Sequence, residues 1–172
     1  VCTLPQLYAL PQFTQITRHI CIEGWSAIGK WSGVRLSHFL KVVGADTRAK
    51  YVTSRCDDEY VTSIDMATAL HPQTQLCLWM DGRILDRRHG FPMKLRVPTK
   101  LGFKNAKHVG EIEVGNDYTG GYWETYGYNW PLVYRLMGDW HQQHIDWSYT
   151  EQTGLERPIA HGVSSAGVAM RH

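Results

Sequence analysis

Asp81-Gly82 stands between the strand-like runs Leu76–Met80 and Arg83–Leu85, and that dipeptide in that setting signals a tight β-hairpin. The same rhythm of short extended runs broken by turn chemistry recurs along the chain. Tyr51–Ser54 and Tyr60–Ser63 flank the acidic turn Asp57-Asp58-Glu59, and Lys94–Val97 and His108–Val114 flank the basic loop Pro98–Lys107. Val109, Ile112 and Val114 do not alternate cleanly, which predicts a bulge or burial on both faces. Gln15–Glu23 alternates as a strand, with Ile16, Ile20 and Ile22 on one face and Cys21 on the other, beside His19 and Glu23. The Gly/Ser/Trp-rich stretch 24–33 reads as a loop. Helical spacing is found in Leu36, Phe39, Leu40 and Val43, stopped by Gly44, in Asp65–Leu70, stopped by His71-Pro72, and again in Leu132, Tyr134, Leu136 and Trp140. The predicted class is α+β, with mixed, mostly antiparallel sheets and short helices.

A chain of 172 residues is expected to form one domain with a sizeable core. No apolar run approaches the roughly 20 residues of a membrane helix, so no span is expected. The formal net charge of +2 conceals a strong asymmetry. Residues 81–107 hold eight Lys/Arg against two Asp/Glu, whereas residues 108–172 hold three against eight. Binding along a nucleic-acid backbone favours a wider basic face, so the concentrated charge points to a compact anion site and away from nucleic acid.

A charge run alone is an ordinary solvated face. Here Gly90, Pro92, Pro98 and Gly102 interleave with the cations, which shifts the reading towards a shaped pocket whose side chains and loop N–H groups suit phosphate. Four cysteines (Cys2, Cys21, Cys56, Cys77) lack Cys-x-x-Cys spacing and are too few for a disulfide scaffold. Cys21 faces away from the isoleucines, and a neighbouring cation such as Arg18 or protonated His19 would favour its thiolate, a soft metal ligand. No second Cys or His lies at ligand spacing, so a metal on Cys21 requires a cofactor that brings its own donors. His141-x-x-His144 lacks partner acids, and Asp57-Asp58-Glu59 lacks the spaced oxygens of a calcium loop.

The runs Arg18–Ser26 (RHICIEGWS), Lys30–Val34 (KWSGV), Tyr60–Pro72, His89–Lys94 (HGFPMK) and Pro98–Lys107 (PTKLGFKNAK) together resemble the molybdopterin-binding domain of the sulfite oxidase family. The similarity is strongest to the bacterial branch that includes the catalytic subunit of periplasmic methionine-sulfoxide reductase. The resemblance implies a molybdenum–molybdopterin cofactor, a metal ion with one pterin dithiolene, in which Cys21 matches the single protein ligand. It implies pterin and phosphate contacts from His89 and Lys94, a closing loop of Asn105, Ala106 and Lys107, and a cofactor-neighbouring position at Cys56. It further implies oxygen-atom transfer or a related two-electron step on a small substrate (sulfite or sulfoxide class), a haem partner of cytochrome b or c type, and a periplasmic site.

Relatives carry a segment ahead of the equivalent of Val1. Residues 1–130 are therefore expected to form the cofactor domain without its front edge, with 131–172 an unassigned extension. The alternative reading is a non-catalytic domain of the same fold that binds a partner or another phosphorylated ligand.

Overall fold

The computed structural model describes residues 1–21 and 25–125. The expectations for 131–172, including His141 and His144, lie outside the described residues. By packing, the chain divides into Val1–Ile20 with Ser26–Tyr122, and Cys21–Trp25 with Trp123–His172. Among the described residues eight strands occur, all in the first unit. Strands β1 (Gln12–Ile20), β2 (Ser26–Arg35), β5 (Gln75–Met80) and β6 (Arg83–Ile84) join in that order, and β7 (Lys94–Arg96) also pairs with β5. Strands β4 (Val61–Asp65), β3 (Tyr51–Cys56) and β8 (Val109–Gly115) form a second sheet. All pairings are antiparallel, and the helices α1 (Leu4–Ala9), α2 (Leu36–Val42), α3 (Met66–Leu70) and α4 (Tyr122–Thr125) are short, as expected from sequence. Among the described residues no helix is long and apolar enough to cross a membrane.

Local chemistry explains most elements. Asp81 and Gly82 both adopt positive φ, 51° and 79°, which is the hairpin turn their sequence calls for. Asp65 caps α3 by accepting the Thr68 N–H at 2.7 Å, and Gly44, at φ 68°, ends α2. The irregular β8 does carry a bulge: Arg55 pairs with Glu111 and Cys56 with Val109, which leaves Gly110 as the extra residue. The apolar core draws on both sheets and on the helices, through Leu36, Leu40, Val52, Ile64, Leu76 and Leu95 among others.

Two sequence expectations fail instructively. The stretch 24–33 is no loop; from Ser26 onward it is β2, the partner of both β1 and β5. Its glycines serve close approach: a Cβ on Gly33 would overlap the Leu76 carbonyl oxygen and lie 2.8 Å from the Cys77 Cα, at the point where the β2–β5 register shifts. Strand β1 starts at Gln12 and not at Gln15, and its isoleucines face solvent, Ile16 at 70% exposure. Its sheltered face carries Phe13, Gln15, Thr17 and His19.

Replacing Gly33 by Ala is expected to destabilise the protein by at least about 2 kcal/mol in urea unfolding, because the colliding atoms are backbone. Gly115→Ala, where a Cβ meets nothing within 4 Å, is the control and is expected to change stability by under about 0.5 kcal/mol.

Candidate functional site

Strand β7 is three residues long, and its alternation decides the site. Leu95 points into the apolar core, so Lys94 and Arg96 emerge together on the opposite face of the sheet. Both are buried, at 5% and 1% exposure. Their cross-strand partners are Cys77 and Gln75 of β5, and the Trp31 ring of β2 lies beside both cations, with centroid distances of 5.2 Å to the Lys94 Nζ and 5.3 Å to the Arg96 Cζ. The polar residues of β1 complete this wall: Gln15 pairs with Trp31, and His19 sits two alternations further along.

No carboxylate balances these charges among the described residues; the ion pairs there join Arg48 to Asp46, Arg55 to Glu113 and Lys100 to Asp65. Burial, reinforced by Lys107 and Arg96, pulls Lys94 down to about 8. Burial lowers Arg96 to about 10, which leaves it charged at neutral pH. His19 falls to about 4 through burial and then the fields of Lys94, Arg96 and Lys107. It is therefore neutral at pH 7 and is not the neighbouring cation the sequence suggested. Cys77, in the same wall, is pushed up to about 11 by burial and stays a neutral thiol, so it offers no counter-charge.

The loop between β7 and β8 closes over this region. Asn105 is buried, with its Oδ1 accepting from Arg96 Nη1 at 2.6 Å and from Val97 N at 2.8 Å, while its Nδ2 donates to Leu101 O at 3.0 Å. Ala106 is buried and its carbonyl accepts from Leu95 N at 2.8 Å. Lys107 is exposed and its Nζ donates to Arg88 O at 2.7 Å. Gly90, at φ 108°, lies against Lys107, where a Cβ would come within 3.0 Å of the Lys107 Cβ. These contacts sew the turn Arg87–His89 to the Lys107 end of the loop. His89 is exposed on that turn and lines a groove of about 830 Å³ with Met80, Arg83, Leu85 and Phe91.

Of the residues singled out by sequence, Lys94, Asn105, Ala106 and Lys107 are thus brought together, with His89 on the adjoining turn. Cys56 ends β3 within the apolar core, and burial, then Asp58 and Asp57, push its thiol up to about 12. Cys21 belongs to the second unit and is half-buried, with its N–H donating to Trp25 O at 3.0 Å. Sequence reasoning passed over Arg96, Trp31, Gln15 and Thr17. The available signal was the K-L-R alternation of β7, which puts two cations on one face of a strand whose middle residue is apolar.

The donors here suit a cofactor that carries a phosphate. Among the described residues the buried N–H groups Trp31 Nε1, Arg96 Nε and Gln75 Nε2 lack a partner, beside the partnerless carbonyl oxygens of Gln15 and Gln75. With the charges of Lys94 and Arg96 beside them, such a set matches an anionic ligand that offers acceptors and also some donors. No group of three or more His, Cys, Asp or Glu that could hold a metal occurs among the described residues.

Residues 1–123 match the family model described as the oxidoreductase molybdopterin binding domain. The chain is 66% identical over 128 residues to a putative protein-methionine-sulfoxide reductase subunit, YedZ1, of Azospira oryzae, covering 74% of this chain and 49% of that protein. It is 35% identical over 113 residues to the protein-methionine-sulfoxide reductase catalytic subunit MsrP of Xanthomonas campestris, covering 57% of this chain and 35% of that one. The chain therefore spans half or less of the length of these relatives. The sulfane dehydrogenase SoxCD of Paracoccus pantotrophus superposes with a TM-score of 0.63 at 20% identity, over 68% of this chain and 35% of that one, and shares the fold.

Between pH 8 and 10.5 the unfolded chain keeps a proton on Lys94 that the folded chain has released, so stability of the cofactor-free protein rises with pH across that window. Urea unfolding of wild type minus Lys94→Met is expected to climb by up to about 3 kcal/mol over this range. A flat difference would show that the Lys94 charge is not held out of water.

Proposed function

The chain belongs to the oxidoreductase molybdopterin binding domain family, and from that premise we propose that it holds a molybdenum–molybdopterin cofactor and transfers oxygen atoms to or from a small substrate of the sulfoxide class. The observation that carries this reading is the buried pair Lys94 and Arg96, set beside Trp31 with no carboxylate opposite among the described residues. The names of the relatives support the substrate class, since two of them denote methionine-sulfoxide reductase subunits.

Each residue has a distinct part in this reading. Lys94 and Lys107 bind the phosphate end, one from the sheet and one from the loop, as compact ammonium donors. His89 grips the pterin from the turn beside Lys107. Asn105 and Ala106 act through the backbone path of the loop, because the Asn105 amide is already committed to Arg96, Val97 and Leu101. Cys56 serves as a neutral packing residue near the cofactor. Cys21 supplies the one protein thiolate to the metal, and its Trp25 hydrogen bond steadies its backbone.

The cofactor, when bound, supplies a metal that exchanges an oxygen atom and an electron pair with substrate. For a sulfoxide the balance is two electrons and two protons in, one sulfide and one water out. Electrons would come from a haem partner of the b or c type, and the reaction would take place in the periplasm, as the family resemblance implies.

The full chain, produced in a host that makes the cofactor, is expected to carry molybdenum and a visible thiolate charge-transfer band. Cys21→Ser is expected to keep its far-UV circular dichroism, lose that band, and lose sulfoxide reduction with a viologen reductant by about a thousandfold, ~4 kcal/mol of transition-state stabilisation. A folded full chain without molybdenum, or an unchanged spectrum in Cys21→Ser, would overturn the reading. A metal-free chain that still binds phosphate esters would favour the non-catalytic alternative.

A further inference from the structure

Among the described residues Arg96 is the largest fully buried side chain, and its guanidinium joins two segments far apart in sequence. Nη1 donates to Asn105 Oδ1 at 2.6 Å, while Nη2 donates to Arg18 O at 2.8 Å and Thr17 Oγ1 at 3.1 Å. One end of the fork therefore holds the loop of Asn105–Lys107, and the other holds the last turn of pleat in β1. The same two segments meet again at Gly102, where a Cβ would lie 2.8 Å from His19 Nε2. None of the three acceptors carries a charge. A purely structural brace at this depth needs no full positive charge, since apolar replacements of buried ions are often neutral or stabilising. The charge makes sense if an anion completes it.

We propose that Arg96 is a positioning residue that couples occupancy of the anion seat to the end of β1, the strand that leads into Cys21. An anion gripped by Lys94 and Lys107 draws on the loop beside Ala106. That loop is rigid from Leu101 to Asn105 through the Asn105 amide, and Arg96 passes its position to Thr17 and Arg18. Loading of the phosphate end thereby sets the backbone of the strand that precedes the metal-binding cysteine. This proposal rests on the reading that the seat takes a phosphate group.

Amide hydrogen exchange on the full, cofactor-free chain tests it, with inorganic phosphate as the probe. In wild type, phosphate is expected to slow exchange both in residues 101–107 and in residues 17–20. In Arg96→Met, phosphate affinity is expected to fall about tenfold, residues 17–20 to stop responding, and the unfolding midpoint to stay at or above that of wild type. Arg96→Lys keeps the charge but cannot span both segments. It is expected to bind phosphate within about threefold of wild type while still losing the response of 17–20, and it carries the test if the Met variant does not fold. A wild-type response confined to 101–107, or a response of 17–20 that survives in the folded variants, overturns the coupling alone. No response in either wild-type segment overturns the phosphate seat and the coupling together.

Discussion

Two buried cations with no carboxylate opposite them among the described residues set the terms for this protein. Isolated charges are expensive to bury, and a folded chain keeps them only where the surroundings soften the cost or where the charge is wanted. Here Trp31 offers its π face to both, Arg96 is hydrogen-bonded to three neutral oxygens, and Lys94 has dropped towards neutrality. What remains is a positively charged wall whose Trp31 Nε1 and Arg96 Nε have no acceptor among the described residues. A site built in that way is preorganised for an anion before any anion arrives.

The rest of the architecture can be read as support for that wall. Strand β7 is held between the core, which takes Leu95, and β5, which fixes its register. Gly33 lets β2 approach β5 closely enough to bring Trp31 onto the same face, and Gly29 leaves the space beneath the indole. On the other side the loop is tied to the turn at Gly90 and to β1 through Arg96. Lysine and arginine divide the labour as their chemistry suggests: in the proposed reading the compact ammonium of Lys94 takes the ligand, while the planar fork of Arg96 holds segments together.

Much of this was legible in the sequence. The Asp81-Gly82 turn, the helical turn of Asp65–Leu70, the Gly44 stop, the bulged β8 and the antiparallel α+β class all follow from local chemistry that tertiary contacts did not override. The concentration of charge in 81–107 falls on the strand and loop that carry Lys94, Arg96 and Lys107. Two features were hidden for physical reasons. Strand β1 alternates correctly, but its aliphatic side faces solvent, because the sheltered side has to present Gln15, Thr17 and His19 to a polar wall. Hydrophobic periodicity finds the period of such a strand and assigns its faces backwards. Strand β2 hid behind its glycines, which look like loop residues locally and are needed only because another strand passes close by. The role of Arg96 depends on partners 78 and 9 residues away, a relation that no local pattern carries.

The central claim is that the wall around Lys94 seats the phosphate of the cofactor. A crystal structure of the full chain purified from a cofactor-producing host tests it most directly. The expected result is phosphate density within hydrogen-bond reach of Lys94 Nζ and Lys107 Nζ. Cofactor phosphate bound instead in the groove lined by Arg83 and Phe91, out of reach of Lys94 Nζ, would contradict it.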